Sequence, residues 1–258
     1  MRKTAIRTVK HLLFPNRCPG CGQVLDMDQE GFCPICQKEI RLTAEPVCKR
    51  CGKPLEREAE EYCTDCKKTE HAFIQNKAYC VYEAGAKNAM YRLKYGNAKW
   101  VGEYFAKKLV ADYGDWLRWR QPEALIPVPV HPKRQRERGY NQAEVLAKYI
   151  AHQMTETYGG EMLPVIPAVR RSRYTTPQKE LSVTLRRKNL KKAFKLDKNV
   201  VKSRGIYPDS MKTLFQRVLI VDDIYTTGAT LDAVSELLLA GHIAQEVYAM
   251  TAVIGQNI

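Results

Sequence analysis

Much that would define a function is missing from this 258-residue chain. The basic start, MRKTAIRTVKHLLFPNRC, has no continuous hydrophobic core and no small-residue cleavage site, so it reads as neither a signal peptide nor a membrane span. The expected location is cytoplasmic, with no integral membrane segment. No G-x-G-x-x-G fingerprint occurs, and the Gly-containing strand-to-helix loop lacks the lysine of a P-loop, which sets aside dehydrogenase and ATPase readings. Nothing has the form of a helix-turn-helix, so any nucleic acid binding is expected to be weakly sequence-specific and strongly salt-dependent. Acid is also scarce: 28 Asp plus Glu face 42 Lys plus Arg, a balance of +14 that attracts polyanions and says nothing about fold.

What is abundant is cysteine in one place. Eight of the 9 cysteines form four pairs of equal spacing: Cys18 and Cys21, Cys33 and Cys36, Cys48 and Cys51, Cys63 and Cys66. Two residues between thiolates let both face one tetrahedral ion, and two such turns complete a four-thiolate site. The gap from Cys21 to Cys33 equals that from Cys51 to Cys63, as expected of a duplicated zinc ribbon. Four redox pairs would need four oxidant partners, whereas one structural principle accounts for them all. Two structural zinc ions are expected, one per half, although spacing alone leaves interleaved pairing open. So short a segment has little apolar core, so the metal must supply folding free energy. Cys80 stands apart and is expected to fill apolar space. Lys49, Arg50, Lys53, Lys67 and Lys68 do not decide between a stabilising cap and a docking surface.

Beyond residue 77 the pattern alternates. A short strand, AYCVYE, precedes helical material broken near Gly96, with Val101, Tyr104, Phe105, Leu109 and Val110 on one face. A strand ending at prolines, EALIPVPVHPKR, leads to a helix carrying Val145, Leu146, Tyr149 and Ile150. The apolar run Val218 to Val221 opens another strand, loop, helix and strand. These features predict an α/β domain over 77–258, a mostly parallel sheet flanked by helices, preceded by the Cys-rich ribbons over 18–70 and an extension over 1–17 with a short basic helix near 5–14. Ligands are expected at the carboxyl ends of the strands.

One such end carries Asp222, Asp223, Ile224, Tyr225, Thr226, Thr227, Gly228, Ala229 and Thr230. Amides of a Gly-containing loop entering a helix form a phosphate cradle, and threonine hydroxyls add hydrogen bonds. Adjacent carboxylates suit sugar hydroxyls or a divalent cation that accompanies a polyphosphate. The chemistry is that of a phosphorylated sugar or nucleotide; the alternative is an ordinary acidic strand end and helix cap.

The run VLIVDDIYTTGAT closely resembles the binding motif of the phosphoribosyltransferase family, and with YRLKYGNAKW, IPVPVHPKRQRERGYNQAEVLA, Arg171 to Gln178, the pair Arg186 and Asn189, and the paired cysteines it resembles the ComF group of competence-associated proteins. The resemblance implies a site for phosphoribosyl pyrophosphate with Mg2+. Asp222 and Asp223 would hold the ribose hydroxyls, and Thr226, Thr227, Gly228, Ala229 and Thr230 the 5-phosphate. The turn from Val128 through Val130 to Lys133 would meet pyrophosphate, with Lys133 or Arg134 neutralising it as a nitrogen nucleophile displaces it. Arg171, Arg173 and Gln178 would approach substrate phosphates. The group is linked to DNA uptake and natural transformation, with a competence helicase and recombination mediators as implied partners.

A second reading keeps the sugar-phosphate site without turnover and makes the chain a zinc protein or adaptor binding single-stranded DNA. It rests on the stretch from Arg170 to Lys198, where 11 Lys or Arg stand against Glu180 and Asp197, with Tyr140 or Tyr174 available to stack on a base. The segment 195–217 is longer than usual in the group and reads as a surface insertion, with Val200, Val201 and Ile206 forming an extra edge strand.

Overall fold

The computed structural model describes residues 15–172, 190, 192–203 and 213–255. The expected helix near 5–14, together with Arg173, Tyr174, Gln178, Arg186, Asn189 and Ile206, lies outside them. In chain order the elements are α1 (Pro34–Gln37), α2 (Thr64–Lys68), β1 (Asn76–Val81), α3 (Ala84–Tyr95), α4 (Lys99–Arg120), β2 (Ala124–Pro127), α5 (Pro132–Arg138), α6 (Gln142–Tyr158), β3 (Val169–Arg171), β4 (Phe194–Leu196), α7 (Lys198–Ser203), β5 (Phe215–Tyr225), α8 (Ala229–Ala240) and β6 (Ala244–Ile254).

The apolar runs pair as parallel strands in the order β1-β6-β5-β2, and β3 and β4 form a separate antiparallel pair. Continuous apolar strands are what a sheet covered on both faces needs. Along β5 the coverage alternates. Leu219 and Val221 pack with Leu93 of α3, Phe105 of α4 and Leu146 of α6, whereas Val218 and Ile220 pack with Val234 and Leu238 of α8. The expected break near Gly96 falls between α3 and α4, where Asn97 turns with φ 50°. The stripe on α4 buries Val101, Phe105, Leu109 and Val110, with Tyr104 packed against it.

The ribbons join this core. Cys18, Cys33 and Cys36 lie in the same apolar cluster as α3 and α4, and Cys48 and Cys51 in the cluster that holds Phe73 and Tyr225. Arg92 of α3 donates to Gly20 O at 2.8 Å and also to Cys21 O, fixing the first ribbon. Cys80 is fully buried, and burial pushes its thiol up to about 12.

Two expectations fail. Val200 and Val201 belong to α7, so that part of the 195–217 segment is helical and not an edge strand. Asp197 accounts for the helix start, because its Oδ1 accepts from the amides of Asn199 and Val200, a side-chain cap that a strand could not use. Tyr140 is buried and its hydroxyl donates to Leu93 O, so it offers no ring to a base. Among the described residues no helix is long and apolar enough to cross a membrane.

Candidate functional site

The acidic loop sits at the carboxyl end of β5, next to that of β2, where Val128 N donates to Val221 O at 2.9 Å. Period-two alternation puts Asp223 in register with Leu219 and Val221, on the face covered by α3 and α6. There Lys94 Nζ lies 2.6 Å from Asp223 Oδ2, and both side chains are largely buried. Burial opposes ionisation of Asp223, but Lys94, Asp222 and Gln142 outweigh it and hold its carboxyl below the usual range. Asp222 goes the other way: burial first, then the charge of Asp223, pushes it well above the usual carboxylate range. The pair therefore shares one negative charge, balanced by Lys94. Burial also works against the charge of Lys94, and Asp223 restores it.

The strand then turns into α8. Thr226 is exposed, Thr227 and Thr230 are half-buried, and Gly228 and Ala229 are buried. Gly228 has φ +79°, a conformation L side chains rarely adopt, and a Cβ there would stand 2.7 Å from His71 Cε1. His71 Nδ1 lies 3.0 Å from both carboxylate oxygens of Asp232, in the first turn of α8. Ala72 N donates to the same carboxylate at 3.1 Å. The segment that leaves the second ribbon thus packs against the first turn of α8.

Opposite lies the turn before α5. Val128 is buried, Val130 half-buried, and Asn141 Nδ2 donates to Val128 O at 3.0 Å while its Oδ1 caps α6 by accepting from Ala143 N. Lys133 and Arg134 open α5. Arg171, on β3, is held below its ordinary value by burial and then by Arg134, against the pull of Asp222. Arg134, Arg171 and Asp222 therefore share one electrostatic neighbourhood. Lys94, Gln142 and His71 escaped the sequence reading. Lys94 lay inside YRLKYGNAKW, but nothing in the spacing linked it to an aspartate more than a hundred residues away.

The cysteines gather as two separate sets, Cys18, Cys21, Cys33, Cys36 and Cys48, Cys51, Cys63, Cys66, each with all sulfurs within 4.8 Å of one another. Tetrahedral zinc with Zn–S near 2.3 Å requires sulfurs about 3.8 Å apart. Cys21 to Cys33 at 3.9 Å and Cys51 to Cys63 at 3.7 Å meet that requirement. Both four-thiolate sets suit structural zinc. Three of the ribbon lysines are matched: Lys53 pairs with Asp65 at 2.8 Å, Lys67 with Glu60 at 2.9 Å, and Lys49 with Glu61.

Known proteins agree with this division. A double zinc ribbon domain matches residues 9–67 and a phosphoribosyl transferase domain residues 141–256. Competence protein F of Haemophilus influenzae is 36% identical over 150 residues, 57% of this chain and 58% of that protein. DNA utilization protein YhgH of Escherichia coli (strain K12) is 33% identical over 118 residues, 46% and 44% of the two chains. Competence protein ComFC of Streptococcus pneumoniae is 26% identical over 166 residues, 64% and 62%. The matched regions span about half the length of these relatives.

Proposed function

This chain is a ComF/ComFC-like protein, a double zinc ribbon followed by a phosphoribosyltransferase-like domain, and from that premise we propose that it binds phosphoribosyl pyrophosphate at the carboxyl end of β5 and supports DNA uptake. The observation that carries the reading is the buried Asp222–Asp223 pair running directly into the left-handed turn at Gly228 and the amino terminus of α8. Amides at that turn suit the 5-phosphate, with the hydroxyls of Thr226, Thr227 and Thr230 around it. The carboxylates suit the ribose hydroxyls. Their hard oxygen donors also fit Mg2+, which when bound would offset the charge of pyrophosphate.

Two cations, Arg134 and Arg171, share the electrostatic neighbourhood of Asp222, which supports a role in meeting pyrophosphate. Lys133 and Arg134 at the start of α5 and Arg171 on β3 would draw off negative charge as a nitrogen nucleophile displaces pyrophosphate at the ribose C1. Lys94 would keep Asp223 ionised and ready to accept hydrogen bonds from the sugar. The relatives named for competence and DNA utilization support the cellular half of the proposal.

Calorimetry tests occupancy. Zinc-replete protein is titrated with phosphoribosyl pyrophosphate and Mg2+, beside the double substitution Asp222→Asn and Asp223→Asn. Saturable heat in the native protein and none in the variant is expected; a native protein that takes up no ligand across a range of pH and Mg2+ sinks the reading.

A further inference from the structure

The short segment from His71 to Asn76 touches two sites that lie far apart in the chain. At one end it is bonded to the Cys48–Cys51 knuckle: Arg50 Nη1 donates to Phe73 O at 3.0 Å, and Asn76 Nδ2 donates to Cys51 O at 2.9 Å. At the other end His71 Nδ1 and Ala72 N both reach the Asp232 carboxylate in the first turn of α8. The His71 ring also lies against Gly228, where a Cβ would stand 2.7 Å from its Cε1 and 2.8 Å from Tyr225 Oη. Rings continue the path. His71 and Phe73 are 4.8 Å apart, and Phe73 meets Tyr225 edge-on at 6.2 Å.

Tyr225 is buried between the two sites. It belongs to the apolar cluster that holds Cys48 and Cys51, with Cys63 and Cys66 packed against that cluster. Burial first, then the charges of Cys51, Cys66, Asp232 and Cys63, raises its hydroxyl above the ordinary phenol range, so the hydroxyl shares a neighbourhood with three of the four sulfurs. The first cysteine set lies elsewhere: Cys18, Cys33 and Cys36 pack with α3 and α4 in the other cluster. We propose that His71 and Tyr225 are positioning residues through which zinc in the second ribbon, and not in the first, holds the Gly228 turn in its left-handed shape. Four thiolates on one ion would fix the knuckle, and a fixed knuckle holds the segment and the rings that lean on the turn. A ribbon that only stabilised the fold would loosen every element alike when its metal is lost. Only the choice of ligand rests on the phosphoribosyl reading; the order of the turn does not.

Hydrogen exchange of the full zinc-loaded chain reads the amides of 226–232 directly, with exchange along α4 as the measure of any general loosening. Cys63→Ser, in the second set, is expected to speed exchange at 226–232 by about fivefold or more, the low end of coupling between distinct sites, while Cys21→Ser, in the first set, leaves it within about twofold of the native chain. Tyr225→Leu and, separately, His71→Ala keep every cysteine ligand and should speed the same amides with both zinc ions retained by elemental analysis. Tyr225→Leu combined with Cys63→Ser should be no faster than the faster single variant, because one route carries both effects. Titration with phosphoribosyl pyrophosphate and Mg2+ should show Cys63→Ser binding about fivefold or more weaker than Cys21→Ser. A native chain that takes up no phosphoribosyl pyrophosphate sinks the phosphoribosyl reading, while exchange still decides the positioning. Equal exchange at 226–232 in the two cysteine variants, a turn as slow in Tyr225→Leu or His71→Ala as in the native chain, or additive effects in the double variant overturns the proposal. Should Cys63→Ser fail to fold, the two variants that keep all their cysteines decide it.

Discussion

Replacing Lys94 by methionine keeps the length of the side chain and removes its charge, leaving Asp223 buried without its ion-pair partner at 2.6 Å. Two routes are then open at neutral pH. Asp223 stays ionised, at a cost of about 3–5 kcal/mol for an uncompensated buried charge. Otherwise it takes a proton, which at pH 7, from an unfolded value near 3.9, costs about 4 kcal/mol. The cheaper route sets the loss, so Lys94→Met destabilises the protein by about 3–4 kcal/mol at pH 7. At pH 5 protonation costs only about 1.5 kcal/mol, so the loss is smaller there by about 2–3 kcal/mol at most. The sign follows from linkage. In the native protein Asp223 titrates below its unfolded value, so its contribution is present above that value and is lost as pH falls through the folded one. Without Lys94 the same carboxyl titrates above its unfolded value and destabilises increasingly as pH rises. Asp222 already behaves in that way. Urea unfolding in zinc-buffered solution at the two pH values, with Asp223→Asn alone and combined with Lys94→Met, measures the coupling. Asn at 223 should recover most of the loss in the Lys94→Met background. An equal loss at both pH values, or no recovery in the double variant, refutes the assignment of Asp223 as the ionised member.

Gly228→Ala forces a side chain into positive φ at a cost of about 1–2 kcal/mol, and its Cβ would press on His71; the thermal stabilisation by phosphoribosyl pyrophosphate should vanish. His71→Ala removes the contact with Asp232 and should lower stability by about 1–3 kcal/mol in urea unfolding, while His71→Asn should recover part of it. Elemental analysis should find two zinc ions per chain, one for each four-cysteine set, and Cys51→Ser should leave one. Because Cys48 and Cys51 belong to the core that holds Phe73 and Tyr225, that variant should also melt earlier than a ribbon acting as a free appendage would allow.

The zinc ligands were legible because metal chemistry is local: two residues between thiols dictate a turn, and a repeated gap dictates a pair of turns. The alternating strands and helices were legible for a similar reason, since Val218 to Val221 and the stripe on α4 bury apolar faces whose period shows in the chain itself. The segment after Phe194 misled, because β-branched Val200 and Val201 favour strands by propensity while Asp197 caps a helix there. Tyr140 misled for another reason. An aromatic residue among cations looks like a stacking ring until packing is known, and only the fold shows its hydroxyl bonded to Leu93 O.

The amino-acid sequence by itself determined which cysteines gather in sets suited to zinc, which runs become strands, and that two carboxylates precede a Gly-containing turn into a helix, because each depends on residues a few positions apart. The tertiary structure decided what those carboxylates meet. Strand alternation turns Asp223 toward the face where α3 delivers Lys94, His71 comes from the far side of a ribbon to hold Asp232, and Tyr225 meets Gly228 from the cluster that holds Cys48 and Cys51. These pairings join residues far apart in the chain, and their energies depend on burial, a property that no local spacing encodes.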